Sequence, residues 1–212
     1  MKLTFLLICF QTLFLYLNGQ NQLLIDDFKS GPFSRTTTSI SSNTNIQGGR
    51  NIIKCGNSIQ GYRQTTMDIT SNPYIQPLNV SIFPSNGVFA LSSGYKVGQR
   101  VTLGYGVTKD NKSCPLNLDL SRNKSFKLDF EGWNKQINFS IHVKCNNYSI
   151  YANYSENLDP EENGKVITVP FSSFVNATTP FDWKDVETIT FIFQSTGATL
   201  GNDLAIKKIW IE

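Results

Sequence analysis

Apolar and polar residues alternate one by one through long stretches of this chain. Phe126, Leu128 and Phe130 are interleaved with Lys127, Asp129 and Glu131. A two-residue period puts alternate side chains on opposite sides of an extended backbone, so the three apolar residues share one face of a strand and that face is core. Ile137, Phe139, Ile141 and Val143 alternate in the same way with Asn138, Ser140, His142 and Lys144. Gly132-Trp133-Asn134-Lys135 lies between the two runs and has turn composition, which predicts a β-hairpin. Asn146-Asn147 predicts a second turn, followed by a strand over Tyr148 to Tyr154. Further strands are predicted at Leu23 to Phe28, Thr65 to Ile69, Val88 to Leu91, Val101 to Tyr105, Val166 to Val169, Glu187 to Phe193 and Leu204 to Ile211, each rich in β-branched or aromatic residues. The polar segment Asn157 to Lys165 reads as a surface loop. Helical periodicity and a fixed-length repeat are both missing, so the pattern predicts an all-β fold: a two-sheet antiparallel β-sandwich.

The N-terminus follows a different pattern. Lys2 precedes an almost wholly apolar run from Leu3 to Leu17, and Asn18-Gly19-Gln20 follows. This is the plan of a secretory signal, giving a signal peptide over 1–20 and a single sandwich domain over 21–212. The run is shorter than the ~20 residues a membrane-spanning helix needs, so no membrane insertion of the mature chain is expected. A secreted or extracellular location follows, with the periplasm or cell surface as the alternative. The 212 residues carry a formal net charge of +3, scattered without a run of either sign, which argues against a nucleic-acid partner. Removal of the signal takes Cys9 with it and leaves Cys55, Cys114 and Cys145. Two of these three can form one disulfide, and the spacing does not choose which.

Several segments, taken together, resemble the galactose-binding-domain-like jelly rolls, a superfamily that includes many carbohydrate-binding modules. They are Ile25-Asp26-Asp27-Phe28-Lys29-Ser30-Gly31, Leu118-Asp119-Leu120-Ser121, Val169-Pro170-Phe171-Ser172-Ser173-Phe174, Val186 to Phe193 and Leu204 to Ile211. Gln47-Gly48-Gly49-Arg50-Asn51 and Leu103-Gly104-Tyr105-Gly106 add to the likeness. The resemblance implies a jelly roll with a glycan or surface polymer as partner. Members often hold a structural calcium between an acid of the opening segment and an Asp of the last strand, and here those places fall to Lys29 and Lys207. An ammonium at each would repel the ion, so neither a metal nor another cofactor is expected, although Asp26, Asp27, Asn202 and Asp203 offer oxygens nearby.

A search for catalytic chemistry yields little. His142 is the single histidine and alternates outward, with no Ser or Cys nucleophile marked beside it. Asp129 and Glu131 share the polar side of a strand, as a glycosidase pair would, but alternate acids are also what a solvated strand carries. No catalytic residue is assigned. Sugar binding needs aromatic faces for pyranose rings, with amides and carboxylates beside them for hydroxyls. Trp133, Tyr151 and Asn153 are the candidate ligand-binding residues, with Tyr151 facing opposite to Tyr148 and Tyr154. The chain thus reads first as an exported, non-enzymatic sandwich that binds a carbohydrate or surface polymer. A structural or protein-interaction module of the cell surface is the alternative, and a glycosidase or polysaccharide lyase the third reading. Seven Asn-x-Ser/Thr sequons, at Asn79, Asn111, Asn123, Asn138, Asn147, Asn153 and Asn176, would carry glycans only in a eukaryotic secretory pathway.

Overall fold

A computed structural model describes residues 22–40, 42–48, 62–107, 115–145, 147, 149–176, 180–196 and 201–212, with the backbone alone for 42–48, 62 and 107. The signal segment, Cys55, Cys114, Asn111, Tyr148 and the Gly49-Arg50-Asn51 part of the glycine-rich stretch lie outside these residues. The described chain forms fourteen strands: β1 (Leu23–Asp26), β2 (Phe33–Thr37), β3 (Ser42–Gly48), β4 (Tyr62–Ser71), β5 (Leu78–Phe83), β6 (Val88–Ser93), β7 (Gly98–Val107), β8 (Ser125–Trp133), β9 (Ile137–Cys145), β10 (Ile150–Leu158), β11 (Lys165–Pro170), β12 (Val175–Asn176), β13 (Thr188–Thr196) and β14 (Asp203–Ile211). One turn of 3-10 helix at Phe171–Ser173 interrupts them.

The strands form two antiparallel sheets. The first runs β11-β8-β14-β6-β5-β2, with β1 also on β14, and the second runs β12-β10-β9-β13-β7-β4-β3. Both chain ends of the domain, β1 and β14, pair with each other in the first sheet. The chain passes repeatedly from one sheet to the other, and the product is the two-layer jelly roll that the sequence predicts. Between the layers lies the core. Phe126 and Leu128 are fully buried, Phe130 retains 1% of its surface, and Phe139 and Phe191 retain none. At ~25 cal/mol per Å2 of apolar surface, the interleaved phenylalanines dominate the gain from closing the sandwich. Edge-to-face contacts order them, with Phe130 against Phe139 at 6.3 Å and Phe126 against Phe191 at 5.9 Å between ring centroids.

That first contact corrects the predicted hairpin. β8 and β9 do not pair; β8 lies in the first sheet and β9 in the second, and the chain around Asn134 and Lys135 carries it across the core. Alternation shows that each strand has an apolar face, but two such faces can lie side by side or meet through the core, and here they meet. Of the second predicted turn Asn146 lies outside the described residues; the strand predicted after it is present as β10, which pairs with β9 from Ile150 opposite Cys145 to Leu158 opposite Ile137. The strand β5 was absent from the sequence reading although Leu78, Val80 and Ile82 alternate inward with 0%, 1% and 1% exposure. Flanking Pro77 and Pro84 mask it, because prolines read as turn residues.

A buried ion pair ties the sheets together at the opening segment. Arg63 on β4 reaches across with Nη1 2.5 Å from Asp26 Oδ2, and the Tyr105 hydroxyl of β7 donates to the same oxygen at 2.8 Å. Arg63 Nη2 donates to the carbonyls of Ser30 and Gly31, and the Phe28 amide donates to Asp26 Oδ1 at 2.8 Å. Arg63 is fully buried and Asp26 is 4% exposed. Burial, followed by the Asp26 charge, pushes the Tyr105 phenol well above its ordinary value, so it stays a donor at neutral pH.

Candidate functional site

The three residues singled out for ligand binding are not gathered in one place. Trp133 ends β8 in the first sheet and is 3% exposed. Its ring packs on Phe130 at 4.9 Å, and its Nε1 donates to the Asp159 carbonyl at 2.7 Å. The cause is a bulge. Leu204 opposes Trp133, Ala205 opposes Gly132 and Ile206 opposes Phe130, so Glu131 is an extra residue without a partner. One inserted residue turns the next alternate position inward, and Trp133 becomes core instead of a surface platform. Tyr151 and Asn153 do share a face. Both point outward from β10 in the second sheet, Tyr151 with 44% of its surface exposed and Asn153 half-buried. Tyr154 faces the core, packing on Phe139 and Phe174, and the hydroxyl at its rim contacts Glu156.

Strand register extends this outward face across five strands. Asn153 opposes His142, His142 opposes Thr190, Thr190 opposes Gly104, and Gly104 opposes Gln64. On one side of that row Tyr151 opposes Lys144, which opposes Thr188. On the other, Ser155, Ser140, Ile192, Thr102 and Thr66 follow one another, and beyond them Asn157, Asn138, Gln194, Arg100 and Asp68. At ~4.8 Å between strands the five span about 19 Å. Amides and hydroxyls on this face already bond to one another: Asn138 Nδ2 donates to Ser155 Oγ at 3.3 Å and to Asn157 Oδ1 at 3.2 Å, and Ser140 Oγ lies 3.1 Å from Ser155 Oγ. Asp68 Oδ1 is buried within the face and has no donor among the described residues. Gly104, in the middle of the sheet, is buried with the Gln64 side chain packed over it, and Ile192 in the next row is 4% exposed.

His142 is half-buried at the centre of this face. Burial, then the Arg100 guanidinium and the Lys144 ammonium, lower its pKa below the ordinary histidine value, so it is a neutral imidazole at pH 7. Such a ring can donate from one nitrogen and accept at the other. Among the described residues, no nucleophile and base are hydrogen-bonded to each other on this face.

The remaining sequence candidates lie elsewhere. Glu131 stands on the outer side of the first sheet, where Lys207 Nζ is 3.4 Å from its carboxylate, and Asp129 is directly opposite Lys208. The two acids are therefore part of a solvated, lysine-matched surface. Asp26 spends both oxygens on Arg63, Tyr105 and the Phe28 amide, and Asp203 Oδ2 accepts from Asn134 Nδ2 at 2.9 Å. Among the described residues no group of three or more His, Cys, Asp or Glu is placed to hold a metal ion. Cys145 is a free, buried thiol at the end of β9, its pKa raised by burial; Cys55 and Cys114, the other two cysteines of the expected bridge, lie outside the described residues. A groove of about 420 Å3 lies on the outer side of the first sheet, lined by Ala90, Gly132, Trp133, Glu162, Asp203 and Ala205 among others.

No family model matches the chain, and no curated protein matches it. Among solved structures it is similar to the family 11 carbohydrate-binding module of a cellulosomal cellulase of Clostridium thermocellum, with 16% identity over 90% of this chain and 94% of that one and a TM-score of 0.44. A family 29 carbohydrate-binding module is similar at 9% identity over 81% of this chain and 87% of that one, TM-score 0.40. An agarase is similar at 10% identity, TM-score 0.44, over 69% of this chain and 22% of the agarase.

Proposed function

We propose that this protein is a non-catalytic glycan-binding sandwich that receives an extended saccharide on the outer face of its second sheet, along the Tyr151 edge. The observation that carries the reading is the composition of that face in register: Tyr151 beside Asn153, neutral His142, Thr190 and Gln64, with hydroxyls and amides in the neighbouring rows. A saccharide presents apolar C–H faces and many hydroxyls that both donate and accept, and such a surface answers each hydroxyl with a group of either kind. Tyr151 supplies the stacking ring. The sequence resemblance to galactose-binding-like jelly rolls supports the same reading. On the strength of its N-terminal pattern, the protein acts outside the cytoplasm.

A glycan array tests this directly. The wild type is expected to retain a defined set of glycans, and Tyr151→Ala to lose about tenfold or more in affinity with an unchanged melting temperature, since stacking contacts contribute on the order of 1 to 2 kcal/mol. An array blank for the wild type, or one unaltered by Tyr151→Ala, would contradict it. The carbohydrate-binding reading also predicts no release of reducing ends from any glycan retained.

A further inference from the structure

Four of the large hydrophobic side chains that the described surface exposes belong to three loops at one end of the sandwich. Ile40 is 66% exposed, Tyr74 52%, Ile75 75% and Tyr95 44%. They are far apart in sequence, but the loops are bonded together. Asn72, 8% exposed, donates to the carbonyls of Thr38 and Gln76 at 2.8 Å and accepts the Gln76 amide at 2.8 Å. The Gly94 amide donates to the Pro77 carbonyl at 2.8 Å, and a Cβ on Gly94 would stand 2.5 Å from Gln76 Cβ. Tyr74 and Tyr95 lie 5.3 Å apart, and Lys96 Nζ sits 5.6 and 5.4 Å from their ring centres. Ile75 holds φ of +53° and Lys96 +56°. A β-branched residue is strongly disfavoured in that region, so an aliphatic side chain that is 75% exposed is held there against the backbone's own preference.

We propose that this loop end is a peripheral membrane contact, with the aliphatic tips of Ile40 and Ile75 entering the acyl boundary, Tyr74 and Tyr95 at headgroup level and Lys96 facing anionic lipid. Composition decides the occupant. Exposed aliphatic side chains, two tyrosines and a cation without a neighbouring acid match an anionic bilayer interface, whereas a sugar would call for the ring faces over which Lys96 already sits. No acid occurs in residues 38–40, 72–77 or 94–97 to repel an anionic surface. Among the described residues no helix is long and apolar enough to cross a membrane. The contact also goes unseen in sequence, where scattered single residues show no basic or apolar run.

Co-sedimentation of the purified chain with phosphatidylcholine vesicles, with and without 30 mol % phosphatidylserine, tests it. Binding to both is expected, stronger by about fivefold on the anionic vesicles at low salt. Ile75→Asn, which the left-handed backbone tolerates, is expected to melt no lower than the wild type and to bind at least about tenfold more weakly. Tyr74→Trp emission is expected to shift to the blue on adding vesicles. No sedimentation at millimolar lipid, wild-type binding by Ile75→Asn, or an unshifted Trp spectrum would each overturn the proposal. Loss of glycan-array signal by Tyr74→Ala without vesicle binding would reassign the patch to sugar.

Discussion

Arg63 has no exposed surface, and its two terminal nitrogens meet Asp26 and the carbonyls of Ser30 and Gly31, while Nε has no acceptor among the described residues. Removing one member of such a pair leaves the other charge buried without compensation. Arg63→Met is therefore expected to cost about 3 to 5 kcal/mol in denaturant unfolding, and the double variant with Asp26→Leu to recover part of that loss. A single-variant loss below about 1 kcal/mol would show that the pair is not closed as described. His142 predicts a pH effect. Its folded-state pKa is lowered, so on acidification the unfolded chain takes up the proton first. The contribution is complete above the ordinary value of ~6.5 and is lost as pH falls from there through the folded-state value. Melting temperatures between pH 7.5 and 5 should fall, and His142→Gln should flatten that part of the decline. Neither residue's setting could be read from the chain. Arg63 sits at a core-facing position of an alternating strand, and sequence gives a lone buried arginine no visible acceptor.

Strands were legible where apolar and polar residues alternate cleanly, as in β8 and β9, because burying one face of a sheet requires that period. Three things were not legible. Pairing was hidden, since β8 and β9 look the same whether they meet side by side or through the core, and Phe130 against Phe139 shows which is true. The bulge at Glu131 was hidden too, and with it the burial of Trp133. Polar edge strands such as β2 carry few apolar residues to betray them, with three exposed positions in five. Trp133→Ala is thus expected to act on stability, by about 3 to 5 kcal/mol, with glycan binding per folded molecule unchanged; Phe130→Ala should cost as much. A Trp133→Ala protein of wild-type melting temperature would place that ring outside the core after all.

For the molecule as a whole, the two sheets divide the labour. The first holds both ends of the domain and a lysine-matched acidic surface around Glu131 and Lys207, while the second offers the broad face that ends at Tyr151. The sequence reading found Tyr151 and Asn153 but not the rest of that face. His142, Thr190, Gly104 and Gln64 come from four strands and become neighbours only through pairing. The loop end with Ile75 is a separate surface on the same frame. The most direct measurement is a backbone amide NMR titration of the purified domain with a soluble oligosaccharide retained on the array. Shift changes are expected along β10, β9, β13, β7 and β4, centred on Asn153, His142 and Thr190. Changes confined to the groove between Ala90, Gly132 and Asp203, or to the loop end at Tyr74 and Tyr95, would contradict the account.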